Sequence, residues 1–285
     1  MDVFKSNKAL VEECWRTNDN YSIRDIASEN RNCLILFSSN GLYFPNTEEA
    51  FIEKIIDNDR YDFMNVTKST KVEKQFGKII FVRDLWRAWY VRGINQELDT
   101  IDKVIEKLKE LTEGYKVVTA GSSAGGYMAV VAGIQMKAEK ILCFSGQFCL
   151  ESSQKNGIVR AYENDPTRNK YFDTTKLIEQ TDVPIIYFYP IKSEADKRQA
   201  ERVNSFDNII PFAFDYAAHA QTVVPYNYKY LFGISAEKYR KLSRKLEKKR
   251  VKAVYFLIRT GKMEGIIDCF RGVFALIKKK LSKHR

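Results

Sequence analysis

The sequence predicts an α/β domain, a mostly parallel central sheet covered by helices, with a basic helical C-terminal extension. Three observations predict it. Short apolar, β-branched or aromatic runs recur through residues 1–235, several apolar almost throughout, as strands covered on both faces are. Segments of helical spacing lie between many of these runs, and that alternation builds parallel, doubly covered sheets. From about Ser235 the composition changes, so residues 1–235 read as the domain and residues 236–285 as a basic amphipathic helical tail.

In chain order, strands are expected at 21–26, 33–37, 63–66, 79–82, 116–120, 141–144, 185–189 and 209–214. Helices are expected at 48–56, 97–111, 124–136 and 195–203; in the second of these Leu98, Ile101, Ile105, Leu108 and Leu111 share a face. Residues 146–182 carry little periodicity and read as an excursion between strands, of the kind that forms a cap or lid. In the tail, 237–258 is a Lys/Arg-rich helix. After Thr260-Gly261, Met263, Ile266, Ile267, Phe270, Phe274, Ile277 and Leu281 follow a three/four spacing, with Lys262, Arg271, Lys278, Lys279 and Lys280 around them.

A chain of 285 residues can bury one large core. The N-terminal residues are polar and lack the apolar core of a signal peptide, and no run reaches the roughly 18 apolar residues of a spanning helix. Five scattered cysteines argue against a disulfide framework and for a reducing cytoplasm. There is no C-x-x-C pair and there are two histidines, so neither a metal site nor a cofactor is expected. Residues 237–285 hold 17 Lys and Arg against four acids, a net of +13; the total of +11 then leaves −2 for residues 1–236. Such asymmetry points to an anionic partner for the tail alone.

The chemistry centres on Gly121-Ser122-Ser123-Ala124-Gly125, which joins the strand at 116–120 to the helix at 124–136. This is strand, G-x-S-x-G, helix. A nucleophilic serine at such a junction needs a sharp turn, small neighbours that let strand and helix approach, and a helix N-terminus facing a developing oxyanion. Ser123 is the candidate nucleophile. A serine hydroxyl also needs a base. Of the two histidines, His284 lies in the basic tail, whereas His219 follows the last strand, where an α/β-hydrolase fold places its histidine. The acid belongs after the strand at 185–189, where Asp196 is preferred, because aspartate is the usual orienter, with Glu194 as the alternative; either can instead cap the following helix. The order Ser, acid, His is that of the hydrolase fold.

Two N–H donors are needed for the oxyanion. One is expected from Ala124, the other from Ser39 or Asn40 in the loop after 33–37. The segment 84–95 packs aromatic and Arg side chains into a short run. Trp86, Tyr90 and Arg92 are the candidates to hold a sugar ring and an anionic group, or else core and surface residues. For the tail, three readings compete: a helical pair on an anionic membrane surface, a hairpin packed on the body, and a nucleic-acid arm, against which Phe270, Phe274 and Ile277 argue.

The elbow Gly121–Tyr127, the segment Phe37-Ser38-Ser39-Asn40-Gly41 and the segment Trp89-Tyr90-Val91-Arg92-Gly93-Ile94-Asn95 together resemble bacterial α/β-hydrolase-like proteins of capsule and surface-polysaccharide biosynthesis. They are also similar to the acetyltransferase-like component of the accessory Sec system. The resemblance covers residues 30–232. It implies a cytoplasmic protein, peripheral at the inner face of the cell membrane if the tail binds lipid. Such a protein cleaves acyl esters of a glycan or glycolipid, or moves an acyl group onto one, with Ser123 as nucleophile and His219 as base. The alternative is a non-catalytic glycan-binding or assembly module. The resemblance leaves Asp196 and Glu194 open, since the secretion-system relatives can use glutamate. Many hydrolases carry Gly after the histidine; here it is Ala220.

Overall fold

The computed structural model describes residues 8–27, 29–150, 157–246 and 251–282. Seven strands form one sheet: β1 (Tyr21–Asp25), β2 (Asn32–Phe37), β3 (Lys78–Val82), β4 (Lys116–Ser122), β5 (Lys140–Phe144), β6 (Ile185–Pro190) and β7 (Ile209–Phe214). Their spatial order is β1-β3-β2-β4-β5-β6-β7; β1 runs antiparallel to β3 and every other pair is parallel.

The helices before the central strands are α1 (Lys8–Thr17), α2 (Glu48–Phe51, continued by a π-turn over Ile52–Ile56), α3 (Met64–Thr67) and α4 (Thr70–Glu73). Then come α5 (Ile101–Leu111), α6 (Ala124–Gln135), α7 (Gly157–Ala161), α8 (Thr175–Glu179) and α9 (Glu194–Val203). The last are α10 (Tyr228–Leu231), α11 (Ala236–Leu246) and α12 (Ala253–Ser282).

Alternation along each strand divides the core in two. Cys33, Ile35 and Phe37 of β2 face a layer with α5, α6, α8 and α9, and Leu34 and Leu36 face a layer with α4, α10, α11 and the start of α12. Both faces are therefore covered, which is why the strands read as unbroken apolar runs. Helix α5 starts at Ile101 because Thr100 caps it, its hydroxyl accepting the Lys103 N–H at 3.2 Å.

Three expectations are corrected. Residues 63–66 are not a strand: Phe63 has φ +67 and α3 follows it. Phe63, Met64 and Val66 all pack on one core layer, which a helical turn allows and a strand's alternation does not. The described part of the 146–182 excursion places α8 against α6 and α9 and ties to the start of α5 through Arg168 with Asp99 at 3.0 Å and Lys170 with Asp102 at 3.0 Å. The basic helix expected over 237–258 is two helices, α11 and the first turns of α12. Finally, the domain does not end at 235. Tyr239, Leu246, Val251 and Phe256 are core residues, and the Asp215 N–H donates to Val251 O at 2.9 Å. The Lys/Arg pattern hid this, because those side chains surround an α11 whose buried face rests on Tyr239 and Leu246, with Leu242 half-buried.

Phe256 tests that boundary. It is fully buried, edge-on to Phe188 and Phe214 and against Phe212. Phe256→Ala is expected to cost about 3–5 kcal/mol in urea unfolding. A loss under about 1 kcal/mol would return this segment to the status of an appended tail.

Candidate active site

The site forms at the C-terminal ends of β2, β4, β6 and β7. At the end of β4 the chain turns so sharply into α6 that Ser123 takes φ 55, ψ −118. A non-glycine residue there is strained by about 1–3 kcal/mol, and the surroundings hold it. The Ser123 N–H donates to Phe144 O of β5 at 2.8 Å, and the Tyr127 N–H closes the first helical bond on Ser123 O at 3.1 Å. Two glycines make the turn possible. A Cβ on Gly121 would lie 2.1 Å from Gly125 O, and one on Gly125 would lie 2.1 Å from Phe37 O. Helix α6 thus meets β4 and the end of β2 backbone to backbone.

Asp196 and His219 come from the next two strands. The loop after β6 leads to Ser193, which caps α9 by accepting the Asp196 N–H. Its hydroxyl also donates to Asp196 Oδ2 at 2.5 Å. Asp196 is 2% exposed, whereas Glu194 on the same turn is exposed. His219 lies in the loop after β7. The Lys192 N–H donates to Tyr216 O at 3.0 Å, joining that loop to the β6 loop. Hydrogen bonds from Lys192 and Lys252 hold the Asp215 carboxyl down to about 2 and fix the start of the same loop. Ala220 has φ +63, a conformation that favours glycine, which accounts for the Gly expected after the histidine and marks the alanine as a strained substitute.

His219 lies between the other two. Its Nδ1 is 2.9 Å from Asp196 Oδ2 and 3.0 Å from Oδ1, and its Nε2 is 2.9 Å from Ser123 Oγ. A carboxylate only accepts, so Nδ1–H donates to it, which leaves Nε2 to accept from the hydroxyl. In this arrangement the imidazole is within reach to accept the Ser123 hydroxyl proton while the carboxylate holds the ring.

The oxyanion candidates divide. Ala124 opens α6, so its N–H is among the first-turn donors without an intrahelical acceptor. In the β2 loop, the Ser38 N–H donates to Val82 O at 2.9 Å and the Gly41 N–H to Ser39 Oγ at 3.2 Å. Ser39 is corrected from donor to anchor, because its N–H and its hydroxyl both donate to Asp62 Oδ2 at 2.8 Å. Of the N–H groups over residues 38–41, that of Asn40 has no protein acceptor among the described residues. Arg87 holds this loop from the other side, Nε donating to Asn40 O at 2.6 Å.

Trp86, Tyr90 and Arg92 are corrected from substrate contacts to structural residues. Tyr90 is fully buried, its hydroxyl donating to Ser38 O at 2.8 Å. Trp86 is buried, and Arg92 lies between the Trp15 and Trp86 rings with its guanidinium paired to Glu12 at 2.9 Å. Aromatic rings beside Arg suit a sugar, but they suit this stacking equally well. Trp89 keeps some exposed surface, and its Nε1–H donates to Gln147 Oε1 at 2.9 Å.

Sequence reasoning missed Asp62 and Asp84. Asp84 accepts the N–H groups of Trp86, Ala88 and Tyr90 at 2.7–2.9 Å. Burial pushes its carboxyl up to about 6 even though those N–H groups pull the other way. Neither residue sits in a motif. For Asp84 the available signal was an acid directly after a strand and heading a loop; for Asp62 there was none. His284 lies outside the described residues.

No protein-family model matches the chain, and no curated protein matches it in sequence. Solved structures do. The capsule O-acetyltransferase of Neisseria meningitidis serogroup A, in complex with caged gadolinium, is 11% identical, with 81% of this chain and 92% of that one covered at a TM-score of 0.51. An alpha/beta hydrolase enzyme from the metagenome of sediments from the lagoon of Mar Chica, Morocco, is 15% identical, with 82% of this chain and 98% of that one covered at a TM-score of 0.45. The fold is the α/β-hydrolase fold.

The geometry makes one reactivity prediction. Asp196→Asn is expected to slow labelling by a fluorophosphonate by up to about 10,000-fold, since the amide no longer fixes the imidazole tautomer. Glu194→Gln should leave the rate within about twofold, because Glu194 is exposed and makes no hydrogen bond to His219. The reverse ranking would exchange the two acids.

Proposed function

We propose that the protein is a serine-dependent acyl-ester hydrolase or O-acyltransferase that acts on a surface or capsular polysaccharide, or on its precursor, through an acyl-enzyme. The observation that carries this is His219, whose ring nitrogens lie 2.9 Å from Ser123 Oγ and 2.9 Å from Asp196 Oδ2. In the proposed reaction Nε2 takes the hydroxyl proton as Oγ attacks the ester carbonyl. The N–H groups of Ala124 and Asn40 receive the negative charge that develops on the carbonyl oxygen. Collapse breaks the ester C–O bond, and the departing alkoxide takes the proton from Nε2. Water or a sugar hydroxyl then attacks the acyl-enzyme, giving its proton to Nε2. Ser123 leaves and recovers that proton.

Two things support the glycan part. One is the resemblance carried by the elbow and by the segments 37–41 and 89–95. The other is that a structural neighbour of similar fold is a capsule O-acetyltransferase. The rival role is a non-catalytic glycan-binding or assembly module.

Turnover of a short aryl acyl ester decides between them. Ser123→Ala is expected to lower kcat at least about 1,000-fold with the fold intact by circular dichroism. Absence of turnover in the wild type, together with retained binding of an acylated oligosaccharide, would favour the module.

A further inference from the structure

The second segment of helix α12 packs the opposite way round from an ordinary surface helix. The chain breaks at Lys262 (φ 52, ψ −132), so a new helical segment starts at Met263. The face turned to the body carries small and polar residues. Gly261 lies against the Tyr230 ring and Gly272 against the Tyr226 ring. Between them Asp268 is buried, accepting from Tyr230 Oη at 2.6 Å and pairing with Lys229 at 2.7 Å. Positions 261, 265, 268 and 272 form this face.

Met263 opens this segment, and two residues on from 265, 268 and 272 are Ile267, Phe270 and Phe274, about 200° further round the helix. They are 69%, 47%, 61% and 64% exposed. The large apolar side chains therefore point to solvent, and Asp268 with Lys229 and Tyr230 fixes the rotation that keeps them there. Turning the stripe inward would break that ion pair and bring the glycines outward. Val254 and Ile258, on the preceding turns, are exposed as well.

We infer that this stripe is a docking surface for an anionic phospholipid bilayer. Charge selects that occupant. Lys262 and Arg271 are exposed beside the stripe, Lys278, Lys279 and Lys280 follow in the sequence, and residues 237–285 carry +13 against −2 for the rest. An apolar stripe bordered by cations, on a helix lying in the interface, combines burial of the rings with attraction to acidic headgroups. No helix among the described residues is long and apolar enough to cross a membrane, so α12 would lie on the surface rather than span it. The inference rests on the packing of α12 and is independent of the chemistry assigned to Ser123.

The test is flotation of the full chain with vesicles of mixed phosphatidylglycerol and phosphatidylcholine, and with phosphatidylcholine alone. The protein is expected to float with the mixed vesicles, and markedly less with phosphatidylcholine. The double variant Phe270→Ser/Phe274→Ser should weaken binding at least about tenfold, with an unchanged thermal midpoint because both rings are exposed. Replacing Lys278, Lys279 and Lys280 by Gln should weaken it by about fivefold per residue. Turnover of a soluble ester, if present, should not change in either variant. Absence of flotation would overturn the inference. So would equal flotation of wild type and double variant, or a dimer in solution or binding to RNA that the double variant abolishes while flotation persists.

Discussion

The first turn of helix α6 meets the sheet with no side chain between them. Gly125 sits against the backbone of Phe37 and Ser38, and Gly121 against the backbone of Gly125, with gaps that no Cβ could occupy. That approach has two correlates. It goes with the strained, positive-φ backbone at Ser123. It also brings the first turn of α6 beside the loop after β2. Ser123 and the Ala124 N–H at the start of α6 are thereby placed next to the segment that runs from β2 to Asn40. The strain at Ser123 is offset by burial, since α6 is covered along its length and its neighbours belong to the larger core layer.

The rest of the edge is organised by carboxylates that accept from backbone. Asp62 holds Ser39, Asp84 gathers three N–H groups of the loop after β3, and Arg87 from that loop holds Asn40 O. Tyr90 completes the connection through Ser38 O. The loop that offers the second N–H is therefore held from two sides. Rigidity of this kind is what electrostatic stabilisation of an oxyanion requires, because donors that must reorganise lose much of their value.

The strands were legible in the sequence because both faces of the sheet are buried, so alternation gives way to continuous apolar runs. Ser123 and His219 were legible because turn chemistry and chain order constrain them. What stayed open or failed has a physical reason in each case. Asp196 and Glu194 share one helical turn, and only the direction of each side chain separates them. Trp86, Tyr90 and Arg92 have the chemistry of a sugar site and also that of a stacked core, and composition cannot tell stacking on a ligand from stacking on Trp15. Asp62 acts across 23 residues on Ser39, directly before a segment whose apolar residues read as a strand. The stripe on α12 was legible as periodicity, but the side it faces depends on Asp268 meeting Lys229 and Tyr230.

The central claim is that the elbow and the β2 loop together form an oxyanion-stabilising nucleophile site. A crystal structure of the protein after reaction with an aryl alkylphosphonate tests it most directly. The account predicts phosphorus bonded to Ser123 Oγ, with the phosphoryl oxygen within hydrogen-bond reach of the Ala124 and Asn40 N–H groups. An unmodified Ser123, or an adduct whose oxygen lies away from both donors, would contradict it.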